Sequence, residues 1–208
     1  MSYLLYVSSS PQGERSISRL LANEFLAQYR VKNPDTRIVE RDLTTNPVPH
    51  LDGETLAASY SPAENHTPAM AGKLKARMEL INEIKEADDI LISTPMWNWS
   101  IPSVLKAYID QLVFPGQLGG GTPEDSITAK VTVLASQGGS YGPGSRKEGW
   151  DYLSGYLKSV FTQLGSKDID VILSELQYAG RVPGMEHLVE KKEASLVAAR
   201  EKTKLRAN

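Results

Sequence analysis

Residues Ser8 to Ser18 read SSSPQGERSIS, and the segments on either side of them point to the fold class. Before them lies a short apolar run, Tyr3 to Val7. After them Ile17, Leu20, Leu21, Phe25 and Tyr29 recur at close to the 3.6-residue period of a helix. The order is strand, hydroxyl-rich loop, helix. The first N–H groups of a helix have no acceptor inside it and carry partial positive charge. Such an end favours an anion, most often a phosphate. Ser9, Ser10, Ser16 and Ser18 offer hydroxyl donors as well. Loops that cradle a pyrophosphate need several glycines for close backbone approach. Only Gly13 is present, so the loop suits one terminal phosphate better. A plainer role for Ser16 is that of a helix N-cap.

The chain has 208 residues, which suits a single domain over 1–208 with room for a sizeable core. A content of 40% apolar and 23% charged residues is that of a soluble globule. The formal net charge of -2 argues against a nucleic-acid partner. No apolar run is long enough to span a membrane, and the N-terminus lacks the pattern of a secretory signal. Cysteine is absent, which removes disulfides, zinc thiolates and a cysteine nucleophile, and fits a cytoplasmic location. His50, His66 and His187 show no metal spacing, so no metal site is expected.

Along the chain, Asn33-Pro34-Asp35 marks a turn, and Thr36 to Leu43 reads as a strand near a sheet edge. Asn46 to Pro68 carries four prolines and little periodicity and reads as a long loop. Thr67-Pro68 signals a helix start, with Met70, Leu74, Met78, Ile81 and Ile84 on one face and an end near Ala87. Asp88-Asp89 reads as a solvated turn. Ile90-Leu91-Ile92 is a strand buried on both faces. The loop Thr94 to Ser100, TPMWNWS, leads to a helix with Pro102 in its first turn. Phe114 to Asp125 is glycine-rich and irregular. Val131, Val133 and Leu134 form a strand ending in Ser136-Gln137-Gly138-Gly139-Ser140-Tyr141-Gly142. A helix from about Trp150 to Leu164 closes at Gly165. Ile169 to Leu173 is the fifth strand, and a helix from Glu186 to about Leu205 follows.

Alternating strands and helices imply an α/β fold, a doubly wound five-stranded parallel sheet with helices on both faces. The flavodoxin-like order 2-1-3-4-5 makes strands one, three and four neighbours, and ligands in such sheets bind beyond the carboxyl ends of the strands. The three unusual loops follow those three strands. One offers a phosphate seat, one offers Trp97 and Trp99 flanking Asn98, and one offers bare backbone at Gly138 and Gly139. A phosphate, a polar stem and a flat heterocycle together describe flavin mononucleotide, FMN.

The segments SSSPQGERSIS, RDLTTNPVPHLDG (Arg41 to Gly53), PMWNWSIPSVLKAYIDQLV (Pro95 to Val113) and SQGG (Ser136 to Gly139) resemble, in register over nearly the whole chain, the FMN-dependent NADH azoreductases. These are flavodoxin-like NAD(P)H:quinone oxidoreductases. The resemblance implies that Ser10, Ser16, Ile17 and Ser18 hold the FMN phosphate. It implies that Met96, Trp97, Asn98 and Trp99 line the ribityl chain and ring, and that Ser136, Gln137, Gly138 and Gly139 contact the pyrimidine end. It also implies a homodimer with the active site at the subunit boundary. The implied reaction is ping-pong hydride transfer from NADH or NADPH through flavin N5 to a quinone, an azo compound or a related aromatic acceptor. Tyr141 is the candidate proton donor, with packing under the loop as its alternative role. Departures from the family pattern are Ile17 for glutamine, Trp97 and Trp99 for Tyr and Phe, Tyr141 for histidine, and a shorter Phe114 to Asp125 segment without an aromatic pair. Two other functions stay open at this point. One is a pathway-specific reductase of a polycyclic aromatic intermediate. The other is a non-catalytic electron carrier of the flavodoxin type, docking through Asn46 to Pro68.

Overall fold

The computed structural model describes residues 2–208. Its strands are β1 (Tyr3–Ser8), β2 (Arg37–Asp42), β3 (Asp89–Pro95), β4 (Lys130–Ser136) and β5 (Ile169–Ser174). They pair in the order β2-β1-β3-β4-β5, every pair parallel. Val7 lies beside Ile92, and Ile92 beside Val133, so the apolar runs stack across the sheet in register. The edge position expected for the second strand is observed, and its side chains are exposed or half-buried.

The helices are α1 (Ile17–Lys32), α2 (Gly53–Ser59), α3 (Pro68–Lys85), α4 (Ser103–Leu112), α5 (Tyr152–Gln163) and α6 (Val189–Arg206). Leu5, Val7, Ile90, Ile92, Val131 and Val133 face α3, α4 and α5 in one apolar cluster. The alternate residues Leu4, Tyr6, Leu91 and Leu134 face α1 and α6 in a second. A strand that must be apolar on both sides gives an unbroken hydrophobic run rather than an alternating one. That is why Ile90-Leu91-Ile92 was readable.

Four boundaries differ from the sequence reading. Residues 46–68 are not loop throughout. Asp52 accepts from the Thr55 backbone N–H and starts the short helix α2, which buries only Thr55 and Ala58 and so shows no periodicity. Asp151 caps α5 through the N–H groups of Leu153 and Ser154, leaving Trp150 outside the helix. Pro102 occupies the N-cap of α4 rather than its first turn, and a 3-10 turn at Glu186–Leu188 precedes α6. Asp88 and Asp89 are not simply solvated. Asp88 accepts from the Tyr3 N–H at 2.8 Å, and Asp89 accepts from the Tyr29 hydroxyl at 2.6 Å. Gly165 does close α5, with φ +109, and a methyl there would meet Ser126 Cβ at 2.6 Å.

Arg77 of α3 is 3% exposed, and no carboxylate pairs with it among the described residues. Its guanidinium donates to the carbonyls of Gln111 (2.8 Å) and Val113 (2.7 Å) and to the Ser59 hydroxyl (2.8 Å). These carbonyls lie at the C-terminal end of α4, where the helix leaves acceptors unsatisfied and carries partial negative charge. The Phe114 ring packs 4.2 Å from the guanidinium carbon. One buried cation thus joins α2, α3 and α4, and α4 is the helix that follows the tryptophan loop.

Candidate active site

Because the strands are parallel, the loops after β1, β3 and β4 emerge on one edge of the sheet. They are bonded together at their roots. The Ser9 N–H donates to the Ser93 carbonyl (3.0 Å), the Ser9 hydroxyl to Thr94 Oγ1 (2.8 Å), and the Met96 N–H to the Ser136 carbonyl (2.7 Å).

In the first loop, Ser16 is the N-cap of α1, its hydroxyl accepting from the Arg19 N–H at 3.2 Å. The plain reading of Ser16 therefore holds, and it leaves room for a ligand. The cap satisfies one N–H, whereas those of Ile17 and Ser18 have no acceptor within the helix. The Ser16 and Ser18 hydroxyls lie 3.1 Å apart. Ser10, Ser16 and Ser18 are all buried. Arg19 turns away, bonded to Asp42 (2.7 Å), Glu40 (3.1 Å) and the Ser8 hydroxyl (3.1 Å).

The second loop is a tight hairpin. Trp97 and Ser100 exchange both backbone hydrogen bonds, at 2.9 and 3.0 Å. The two residues between them have positive φ, +48 for Asn98 and +67 for Trp99. A two-residue turn of this kind requires left-handed backbone at both positions, where Asn-Gly is favoured. Asn98 meets the demand at small cost; an indole-bearing residue does so at about 1–3 kcal/mol. Trp99 is fixed there by its neighbours. The Tyr152 N–H donates to its carbonyl at 3.1 Å, and Trp150 packs edge-on at 5.1 Å. The Lys147 ammonium lies 5.3 Å from the Trp99 ring and 5.5 Å from Trp150.

The third loop is pinned from β5. Consecutive N–H groups of Leu176, Gln177 and Tyr178 donate to the carbonyls of Gly139, Gln137 and Gly138. On its Cβ side each glycine faces a tyrosine, while its backbone lines the cavities. The space beside Gly138 is filled by protein: a methyl there would meet the Tyr178 ring at 2.4 Å. A methyl at Gly139 would meet the Tyr141 hydroxyl at 3.3 Å. These glycines admit tyrosine rings against the backbone, so the two tyrosines become walls of the site. Gln137 is 1% exposed, and both its amide oxygen and its amide nitrogen are buried without a partner. Burial pushes the Tyr141 phenol above its ordinary pKa, so it carries its proton at neutral pH.

One trough joins the three loops. Met96, Trp97, Asn98, Trp99, Gly138, Tyr141, Lys147 and Tyr178 surround a cavity of about 390 Å³. A narrow extension runs past Pro95, Ser136 and Gln137 to Gln12, Arg15 and Ile17 at the head of α1. Trp97 and Trp99 remain 43% and 38% exposed, one wall of an open cleft.

Comparison with known proteins agrees with this architecture. A model of the flavodoxin-like fold matches residues 2–204. An FMN-dependent NADH:quinone oxidoreductase of Frankia alni is 39% identical over 209 residues, spanning 100% of this chain and 99% of that one. The chain belongs to this oxidoreductase family. A Frankia casuarinae member is 40% identical over the full length of both chains. An azoreductase from Bacillus anthracis shares the fold of this family member with a TM-score of 0.85, at 24% identity over 100% of this chain and 99% of that one. A second Bacillus anthracis structure, an FMN-dependent NADH-azoreductase in complex with FMN, has a TM-score of 0.81 at 20% identity over 99% and 98% of the chains.

The sequence reading missed Tyr178, Lys147 and Trp150 in this family member. Tyr178 follows the fifth strand in a segment with no pattern. The other two had a signal: GPGSRKEGW (Gly142 to Trp150) is too rich in glycine and proline to be helical, and it places a third indole near the other two. His50, His66 and His187 lie apart, and no group of three or more His, Cys, Asp or Glu among the described residues could hold a metal ion. No helix among them is long and apolar enough to cross a membrane.

Proposed function

We propose that this chain is an FMN-dependent oxidoreductase that takes reducing equivalents from NADH or NADPH and delivers them to quinones, azo compounds or related aromatic acceptors. It works in the cytoplasm, as a homodimer whose partner completes the site. The observation that carries the reading is the pairing of two unmet polar groups along one trough. At one end, where Ile17 lines the trough, the first N–H groups of α1 have no acceptor within the helix. Along its floor the Gln137 amide is shut from water with neither of its polar atoms bonded. Buried amides without partners are rare and costly, and this one suits the polar edge of a flat heterocycle.

The residues fit FMN. Ser10, Ser16 and Ser18, with the Ile17 backbone, would hold its phosphate. Met96, Trp97, Asn98 and Trp99 would line the stem and one side of the ring, and Ser136, Gln137, Gly138 and Gly139 would meet its polar edge. When bound, FMN supplies the hydride chemistry itself. The protein orients the reactants and restricts water. The indoles of Trp97 and Trp99 offer flat apolar surface for an aromatic acceptor. Tyr141, which lines the cavity and is kept protonated by burial, would hydrogen-bond an acceptor oxygen or nitrogen and give up a proton.

The test is anaerobic mixing of the purified flavoprotein with NADH, then with a quinone. The yellow colour bleaches on the first addition and returns on the second. An electron carrier that needs a partner enzyme would keep its colour with NADH, and that result would reject the enzymatic reading. Gln137→Met provides a second check. An unsatisfied buried amide costs about 1–3 kcal/mol, so the variant without FMN is expected to unfold at higher temperature than the parent. Its affinity for FMN is expected to fall about tenfold, the scale of one lost hydrogen bond to a buried partner. Calorimetry and a melting curve measure the two effects. A destabilised variant with unchanged affinity would show Gln137 to be purely structural.

A further inference from the structure

Beside the indole-walled cavity lies a second, larger one of about 720 Å³. The two share Gly138, Tyr141, Lys147 and Tyr178, so they open into each other. The larger cavity adds Arg146, Lys191 and His187 to Lys147, and no aspartate or glutamate lines it. Arg146, Lys147 and Lys191 form no ion pair among the described residues. Of the acids next to these lining residues, Glu148 accepts from the Gly144 N–H and Glu186 from the Gly184 N–H, both at 2.9 Å, Glu175 accepts from the Tyr141 N–H at 3.4 Å, and Glu190 stands beside Lys191 in the first turn of α6. The 18-residue helix α6 begins at the same cavity, through Leu188 and Lys191, and no side chain caps its first N–H groups. Glu190 in that first turn offsets the partial positive charge of the helix end, so the three cations supply the charge of the cavity.

A chain with a net charge of -2 has thus gathered three cations, none of them in an ion pair among the described residues, beside its indole-walled cleft. We propose that this cavity seats the acidic group of the molecule whose flat ring packs against Trp97 and Trp99. That group is a sulfonate, a carboxylate or a phosphate. Lys147 sits at the junction. Its ammonium lies over two indoles, at 5.3 Å from Trp99 and 5.5 Å from Trp150, and lines both cavities, where it can also meet an anion. Arg146 and Lys191 are exposed residues lining the larger cavity, and Arg146 offers a fork matched to an oxyanion. The site therefore selects planar aromatics bearing negative charge over neutral ones of the same shape. This rests on the proposed function for the identity of the ring, but the charge selection belongs to the cavity alone.

The test uses the FMN-loaded protein and two azo dyes of one shape, methyl orange and its uncharged sulfonamide, with ADP as a probe for the phosphates of a dinucleotide. Calorimetry gives the affinities, and turnover gives kcat/KM for the two dyes. The sulfonate is expected to bind about tenfold more tightly than the sulfonamide, the scale of one charge-assisted hydrogen bond, with the margin shrinking as salt rises. In Arg146→Gln/Lys191→Gln the margin is expected to vanish in both measurements, and Arg146→Lys is expected to restore most of it. Should ADP affinity fall in the double variant while the dyes bind alike in the parent, the acidic group is that of the hydride donor. Equal affinity for both dyes, with ADP binding unaffected by the double variant, would overturn the proposal. A protein that takes up no FMN would reject the functional reading instead. The same titrations on that FMN-free protein would still report on the cavity.

Discussion

Ser16→Asp is expected to lower FMN affinity by about a hundredfold or more, since setting like charges side by side in a binding site costs several kcal/mol. Aspartate caps a helix as well as serine does, and a carboxylate at that end suits the helix dipole. The fold of the FMN-free variant should therefore survive, with a melting temperature close to that of the parent. Arg19 is not free to neutralise the new charge, because Asp42 and Glu40 already hold it. Ser16→Ala separates the two roles of the residue. It loses the cap, worth about 1 kcal/mol of stability, and one donor, worth about tenfold in affinity. Calorimetric titration with FMN reads both variants. If the aspartate variant bound FMN within about threefold of the parent, the phosphate would have to lie somewhere other than the head of α1.

Arg77→Ala is expected to cost about 3 kcal/mol of stability, through carbonyls left unpaired in the interior and a cavity where the side chain was. For a chain of this size that corresponds to a fall of about 6–12 °C in Tm. The loss is large because the buried guanidinium donates to the Gln111 and Val113 carbonyls at once. Burial pushes the guanidinium's pKa below its ordinary value, yet not enough to discharge it at neutral pH. Arg77→Lys should recover only part of the stability, since one ammonium cannot span Gln111, Val113 and Ser59 with the same geometry. A thermal melt of each variant decides this. A shift of less than about 2 °C for the alanine variant would mean that water replaces the guanidinium without penalty.

How much of this was legible in the sequence follows from which interactions are local. Strands buried on both faces announce themselves as apolar runs, so β1, β3 and β4 were readable from Tyr3 to Val7, Ile90 to Ile92 and Val131 to Leu134, whereas their order came from the flavodoxin-like pattern. The Thr67 cap with Pro68 and the Gly165 stop were local chemistry, and both stand where expected. Helix α2 was missed because it buries too little to impose a period. The start of α5 was misplaced because Asp151, rather than the preceding tryptophan, supplies the cap. At the site, Ser16, Trp97 and Gln137 could be named because they follow strands whose ends must converge. Tyr178 could not, since its position beside Gly138 depends on three hydrogen bonds from a loop almost forty residues farther along the chain. The same contact accounts for the missing side chain at Gly138. Tyr178 and Tyr141 stand on the Cβ sides of Gly138 and Gly139, and no local pattern announces that.

The central claim is that three loops, distant along the chain, form one seat for FMN. A crystal structure of the protein grown with FMN tests it most directly. The phosphate is expected against the N–H groups of Ile17 and Ser18, with the ring between the Met96 to Trp99 hairpin and the Gln137 to Gly139 loop and a hydrogen bond to the Gln137 amide. Density for FMN elsewhere on the molecule, or a Gln137 amide that stays unpaired with the flavin in place, would contradict it.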